Sequence, residues 1–222
     1  MAKHIGRKSS AQDNFLEPLN VTGLTATDVG TNRPYSTTFT GTASQGGAVS
    51  LSWTLPSTSP AATDYDITAA KISGGSVSVS NGTVVTKTTG SSSTSYTFEG
   101  LESSGVYTFT IIPKNASGSA KAPNTVSSNI TITTVPQPPQ SITATAGVNQ
   151  NTINWTVGNN GGKALTKQNI YGSDGTSSGD LSASAITTTI SDTANTSQTY
   201  YGTATNANLS LIHISEPTRR YA

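Results

Sequence analysis

Two histidines, eleven acidic residues and no cysteine are the conventional reactive equipment of this 222-residue chain. His4 stands in a polar leader and His213 in the closing stretch, so the body of the chain holds no imidazole to activate a Ser or Thr hydroxyl. Without Cys or central His, zinc ligation has no plausible members either. Carboxylates remain. Asp64 and Asp66 flank Tyr65, and in a strand this spacing points both carboxylates to one face. Paired carboxylates serve glycoside hydrolysis, and carboxylate oxygens can begin a calcium site, which needs further converging oxygen ligands. The better account of the pair is a solvated strand face. Gly158-Asn-Asn-Gly-Gly162 fits neither dinucleotide-loop nor phosphate-loop spacing and reads as turns. The tripeptides starting at Asn20, Asn81, Asn115 and Asn129 satisfy the glycosylation pattern, as chance supplies in a chain this rich in Asn, Ser and Thr. The sequence therefore predicts no catalytic residue, no cofactor-binding residue, no metal ligand and no cofactor.

Charge excludes more classes. Only 10% of residues are charged and the formal net charge is +1, which provides no broad basic field for nucleic acid. The aromatics are not interleaved with basic residues as a single-strand binder requires. No apolar run approaches the roughly 20 residues of a membrane span, so no membrane insertion is expected. Met1 to Lys8 is basic but lacks the apolar core of a secretion signal. The length suits two domains of about 100 residues, held by packing and strand ladders.

Those domains appear as a pattern met twice. Leu24-Thr-Ala-Thr27, Leu51-Ser-Trp53-Thr-Leu55 and Leu101 with Tyr107-Thr-Phe109-Thr-Ile111 form the first copy. Ile142-Thr-Ala-Thr145, Ile153-Asn-Trp155-Thr-Val157 and Tyr200 form the second, and Tyr107 to Asn115 matches Tyr200 to Asn208 in spacing. Period-two alternation puts Val49, Leu51, Trp53 and Leu55 on one face, and likewise Tyr65, Ile67 and Ala69. Asn81-Gly82 between Val77/Val79 and Val84/Val85 predicts a two-residue hairpin, and Ser173-Asp174-Gly175 predicts a turn in the second copy. The fold class is all-β: two tandem β-sandwiches.

The expected organisation is a flexible basic leader over 1–17, a first domain over 18–135, a proline-rich linker over 136–139, and a shortened second domain over 140–208. The leader is either a disordered terminus or a short docking arm. Three prolines in Pro136-Gln-Pro-Pro139 favour a stiff polyproline spacer, which would make the pair a rod segment. The first domain carries extra residues between its first two strands, around Asp28 to Gly47. They form a contact loop or, the favoured reading, an added edge strand from Thr37 to Thr42.

These residues resemble the fibronectin type III family, with Trp53 and Trp155 in the second strand and Leu101 six places before Tyr107. The resemblance implies an immunoglobulin-like sandwich in which Tyr107 is a tyrosine corner, its hydroxyl bonded back to backbone. The second copy departs by lacking the Leu before Tyr200 and carrying Gly202 where Phe109 stands. The N-terminus, Ala2 to Ser9 and on through Asn20 to Arg33, is similar to virion structural and tail-fibre proteins of marine tailed bacteriophages. Leu209-Ser-Leu-Ile-His-Ile-Ser-Glu-Pro-Thr-Arg219 is similar to a translated sequencing-library adapter, which would make 209–222 an artefact and leave the second domain truncated; the other reading is a genuine final strand.

The resemblances imply a non-catalytic spacer or adhesion segment located in a virion, a tail or fibre component. Its expected partners are other virion proteins or host cell-surface glycans and proteins. The alternative is an extracellular setting, as a bacterial surface adhesin or an accessory module of a polysaccharide-degrading enzyme. A capsid decoration protein is the third reading.

Overall fold

The structure is a computed structural model and describes residues 16–42, 45–191 and 197–208. Most of the leader and the whole of 209–222 lie outside those residues. Every regular element described is a β-strand. In the first domain β1 (Thr22–Asp28), β2 (Gly47–Thr54), β3 (Asp64–Gly74), β4 (Val84–Thr88), β5 (Ser95–Leu101) and β6 (Gly105–Asn115) are followed by three two-residue strands, β7 (Gly118–Ser119), β8 (Thr125–Val126) and β9 (Ile130–Thr131). One sheet runs β1-β2-β5; the other runs β4-β3-β6, with β7, β8 and β9 all paired to β6. Period two turns Val49, Leu51 and Trp53 inward from the first sheet, and Tyr65, Ile67, Ala69, Tyr107, Phe109 and Ile111 from the second. Phe98 and Leu101 close the middle. Aromatic edges meet faces throughout: Trp53 with Tyr65 at 5.0 Å, Phe98 with Phe109 at 5.6 Å.

The second domain repeats the plan with β10 (Gln140–Gly147), β11 (Gln150–Thr156), β12 (Leu165–Gly172), β13 (Thr187–Ser191) and β14 (Tyr200–Asn206). One sheet is β10-β11-β13, matching β1-β2-β5 in order; the other is the antiparallel ribbon β12-β14. Its core is smaller, built on Ile142, Ile153, Trp155, Ile170, Ile190 and Tyr200. The turn at Ser173-Asp174-Gly175 is present. Gly175 has a φ of 88°, and the Asp174 carboxylate accepts from the Thr176 amide at 3.0 Å.

Two local expectations are corrected. Residues 37–42 form no strand. The amides of Thr40 and Gly41 both turn to one carbonyl, that of Gly100, so no ladder can propagate. Phe39 instead packs edge-on against Tyr107 at 4.9 Å, and its alternation with threonines reflects that single anchor. Arg33 fixes the start of the same loop, pairing with Glu99 at 2.9 Å and donating to the Gly46 carbonyl at 2.7 Å. The second correction concerns Asn81-Gly82. It does form a turn, with Gly82 at φ 85°, but β3 runs on to Gly74, and residues 75–83 make a long connection in which Val77 is fully exposed. The cause is Lys71. Its buried ammonium gathers the carbonyls of Ser76 (3.1 Å) and Val79 (2.6 Å), folding that segment over the strand end.

Candidate functional site

Three polar constellations stand out from the sandwich scaffold. The first contains the one candidate pair from the sequence. Asp64 and Asp66 do project together from β3, and Lys114 of β6 fills the space between them, 2.6 Å from Asp66 and 3.6 Å from Asp64. Thr88 donates to Asp66, while Thr89, the Gly90 amide and the Tyr65 amide donate to Asp64. Partial burial pushes the Asp64 carboxyl up, but the Thr89, Tyr65 and Gly90 hydrogen bonds and the Lys114 charge outweigh it, leaving its pKa below the usual value. The hydrogen bond to Asp66 leads the causes that raise Lys114. An ammonium occupies the place a cation or a sugar ring would need, so the pair is a strand-end clasp. Among the described residues no group of three metal-ligating side chains converges.

A buried ion pair is the second constellation. Lys71 and Glu102 are 1% and 0% exposed, and Nζ lies 2.7 Å from Oε2. The ammonium donates to the Ser76 and Val79 carbonyls and stands against Oε2 as a charge partner. Glu102 also accepts from the Ser76 amide. Tyr107 lies against this carboxylate. Burial first, and the Glu102 charge second, push its hydroxyl pKa far above the ordinary tyrosine value. Its ring occupies the expected corner, but the oxygen closes no well-formed hydrogen bond among the described residues. The oxygen faces the backbone of Glu102 as well as its carboxylate, so the corner turns back toward the preceding connection beside a buried charge. In the second domain the equivalent Tyr200 oxygen receives the Asn151 amide at 2.7 Å.

The third constellation is the joint between the domains. The backbone of 134–137 runs beside the loop 159–161: the Thr134 amide donates to the Gly161 carbonyl and the Gln137 amide to that of Asn159, both at 2.8 Å. Asn206 of β14 donates to the carbonyls of Thr134 (3.0 Å) and Asn160 (2.8 Å). From the first domain, Ser104 donates to Asn159 Oδ1 at 2.9 Å, the Thr134 hydroxyl meets Ser103 at 2.8 Å, and the Val135 amide reaches the Arg33 carbonyl at 3.1 Å. Thr134 and Val135 are buried. Gly161 has a φ of 68°, and a Cβ there would sit 2.6 Å from the carbonyl oxygens of both Thr134 and Val135, so only glycine admits the approach. Gly202 has a related role. A Cβ at that position would meet the Pro139 ring at 2.7 Å, so the residue that departs from the first domain's pattern is the seat of the last linker proline. The proline-rich stretch, expected as a stiff spacer, is bonded along this seam to loops of both sandwiches.

A shallow groove of about 320 Å³ lies on the outer face of β12-β14. Its rungs are Lys167 opposite Thr205, Asn169 opposite Thr203, and Tyr171 opposite Tyr201. The two tyrosine rings stack at 5.2 Å with planes 20° apart. Asp180 closes the other end, accepting from Lys167 at 3.0 Å and Asn169 at 2.9 Å. No sequence argument singled out these residues or the joint. The usable signal was the second phase of the alternation: Gln168, Ile170, Tyr200 and Ala204 face inward, which sets Lys167, Asn169, Tyr171, Tyr201, Thr203 and Thr205 outward.

The family model of the fibronectin type III domain matches residues 32–129, so a domain of that family is recognised within the first sandwich. A domain of this family is typically a non-catalytic adhesion or spacer module. Among curated proteins none matches the chain. Among solved structures, the FN1–FN3 domains of chicken CNTN1 are 15% identical with a TM-score of 0.49, covering 88% of this chain, which spans 64% of that one. A two-domain fibronectin type III segment of chicken tenascin is 17% identical with a TM-score of 0.39, covering 90% and 97%. The twitchin kinase region of C. elegans is 22% identical with a TM-score of 0.36, covering 55% and 18%.

Proposed function

We propose that this chain is a non-catalytic spacer and adhesion segment of a bacteriophage virion, a tail or fibre component. The observation that carries the spacer reading is the joint. Backbone and side-chain bonds from both sandwiches converge on 134–137, so the linker transmits orientation as well as distance. The two modules then act as one stiff strut, holding whatever adjoins them at a set separation. The recognised fibronectin type III domain, of a kind typically non-catalytic, supports the non-enzyme reading, and the phage-like N-terminus supports the virion setting. A bacterial surface adhesin is the second reading, favoured by the groove on β12-β14, since a strut of this kind can present a binding face equally well from a cell.

Small-angle scattering on the full chain tests the strut. A single narrow interdomain distance is expected, and Gly161→Asp combined with Asn206→Ala should broaden it without unfolding either sandwich. A broad distribution already present in the unaltered protein would sink the strut. The virion setting is tested separately by immunogold microscopy of particles carrying this gene product: label at a fixed tail position supports it, and unlabelled particles overturn it.

A further inference from the structure

We infer that the groove on β12-β14 is a binding site for a neutral sugar ring, a hexose or the end of a hexose-containing oligosaccharide. The inference gives the adhesion half of the proposed function its ligand, and the strut stands without it. The floor is polar. Asn169 and Thr203 lie 7% and 6% exposed at its centre. One wall is aromatic, with Tyr171 and Tyr201 fixed by their mutual stacking. The opposite wall is the Lys167–Asp180 pair, whose side chains remain 43% and 65% exposed.

Charge and hydrogen-bonding capacity select the ligand. Lys167 donates to both oxygens of Asp180, at 3.1 and 3.0 Å. The two charges cancel, so the groove offers no uncompensated cation for a phosphate or sulfate and no free carboxylate for a basic peptide. A lipid chain or apolar peptide would have to desolvate the exposed Lys167–Asp180 pair without replacing its hydrogen bonds to water, which is unfavourable. A pyranose has the complementary make-up. Its C–H face can lie against an aromatic ring, and its hydroxyls both donate and accept. Asp180 is an acceptor already held in place by Asn169 and Lys167. The Thr203 and Thr205 hydroxyls hold no hydrogen bond among the described residues and can serve either way. The groove volume lies at the lower end of small-ligand sites. A single contact of this size is weak and becomes effective through many copies on a particle.

Saturation-transfer NMR on the full chain tests the site, with glucose, galactose, mannose, N-acetylglucosamine and, as charge control, methyl phosphate, whose methyl protons report binding. At least one neutral sugar should show transfer with roughly millimolar affinity. Tyr201→Ala and Asp180→Asn should each weaken it tenfold or more, with unchanged thermal melting, while exposed Val148→Ser on a distant turn leaves it intact. Transfer to none of the sugars, transfer to methyl phosphate alone, or sugar binding untouched by both groove substitutions would each overturn the site. Chemical-shift mapping provides a second reading: perturbed amides confined to β12 and β14 are expected, and perturbation confined to the first domain would count against the proposal. A negative sugar result beside a narrow interdomain distance would remove this ligand and leave the strut standing.

Discussion

Trp53 and Trp155 hold matching positions on the second strand of their sandwiches, in very different company. Trp53 meets the edge of Tyr65 in a core that also buries Phe98, Tyr107 and Phe109, and its indole N–H has no hydrogen-bond partner among the described residues. Trp155 donates that proton to Gln168 at 3.1 Å, and Gln168 in turn donates to the carbonyls of Ala183 (2.9 Å) and Ala185 (3.0 Å). Asn151 likewise holds Tyr200. One domain is therefore organised by aromatic area, with the buried Lys71–Glu102 ion pair at one end. The other, with fewer apolar side chains, substitutes a hydrogen-bonded network for the missing hydrocarbon. Area is insensitive to small rotations, whereas a network depends on each member being in place. The same architecture thus tolerates two chemistries inside, with different points of failure.

The largest expected effect is on the area-built core. Trp53→Ala should cost the first domain about 3–5 kcal/mol, enough to unfold many domains of this size. Hydrogen exchange of β2 amides in the full chain reads it domain by domain. Protection of β2 equal to the unaltered protein would show that the ring is not the organiser argued here. Close behind comes Lys71→Met. Removing one partner of a buried pair leaves Glu102 uncompensated, a cost of about 3–5 kcal/mol. Adding Glu102→Leu should return much of that loss, because the charge then goes with its partner. If the double variant is no more stable than Lys71→Met alone, the pair is not what pins residues 75–80.

A smaller effect separates the two tryptophans directly. Phe in place of Trp53 loses some area and no hydrogen bond. At position 155 the same change also orphans the Gln168 carbonyl oxygen, which adds about 1–3 kcal/mol. Denaturant midpoints for the pair should therefore differ, with Trp155→Phe the worse. Equal losses would erase the distinction between the two cores.

Much of the scaffold was legible in the sequence because strand formation leaves a local signature. Val49-Leu51-Trp53, Tyr65-Ile67-Ala69 and Tyr107-Phe109-Ile111 alternate without interruption, and each triplet faces the core. Thr37 to Thr42 carries the same signature and is not a strand, since a ladder also needs a free edge in register, which no local pattern reports. Lys71 was overlooked for a related reason. It continues the inward phase of Ile67 and Ala69, but a charge normally ends an apolar stripe, and its partner Glu102 lies on another connection. The joint depends on Asn159 and Asn206 meeting 134–137 across a domain boundary. The groove depends on the register of β12 against β14. Both are matters of long-range placement, invisible to spacing along one strand.

The smallest expected effect is the acid dependence of the Asp64 clasp. Hydrogen bonds from Thr89, Gly90 and Tyr65 and the Lys114 charge hold the folded-state pKa of Asp64 below its unfolded value despite partial burial. A carboxyl shifted in that direction stabilises the fold above its unfolded pKa, near 3.9, and the contribution fades as pH falls through the lower, folded value. Lys114 is shifted upward, chiefly by Asp66, so its contribution is full at neutral pH and is lost only in strong alkali. Between about pH 5 and pH 9 the clasp should be indifferent to pH. Urea midpoints reported by first-domain amides should fall between pH 5 and pH 2, and Asp64→Asn should flatten that limb while lowering the plateau slightly. The second domain has its own depressed carboxyls, Asp174 and Asp180, both exposed and held by neighbouring hydroxyl, amide or ammonium groups. Its acid limb should survive Asp64→Asn untouched. If both domains flatten together, acid sensitivity passes through the joint, and the two sandwiches are coupled more tightly than their separate cores imply.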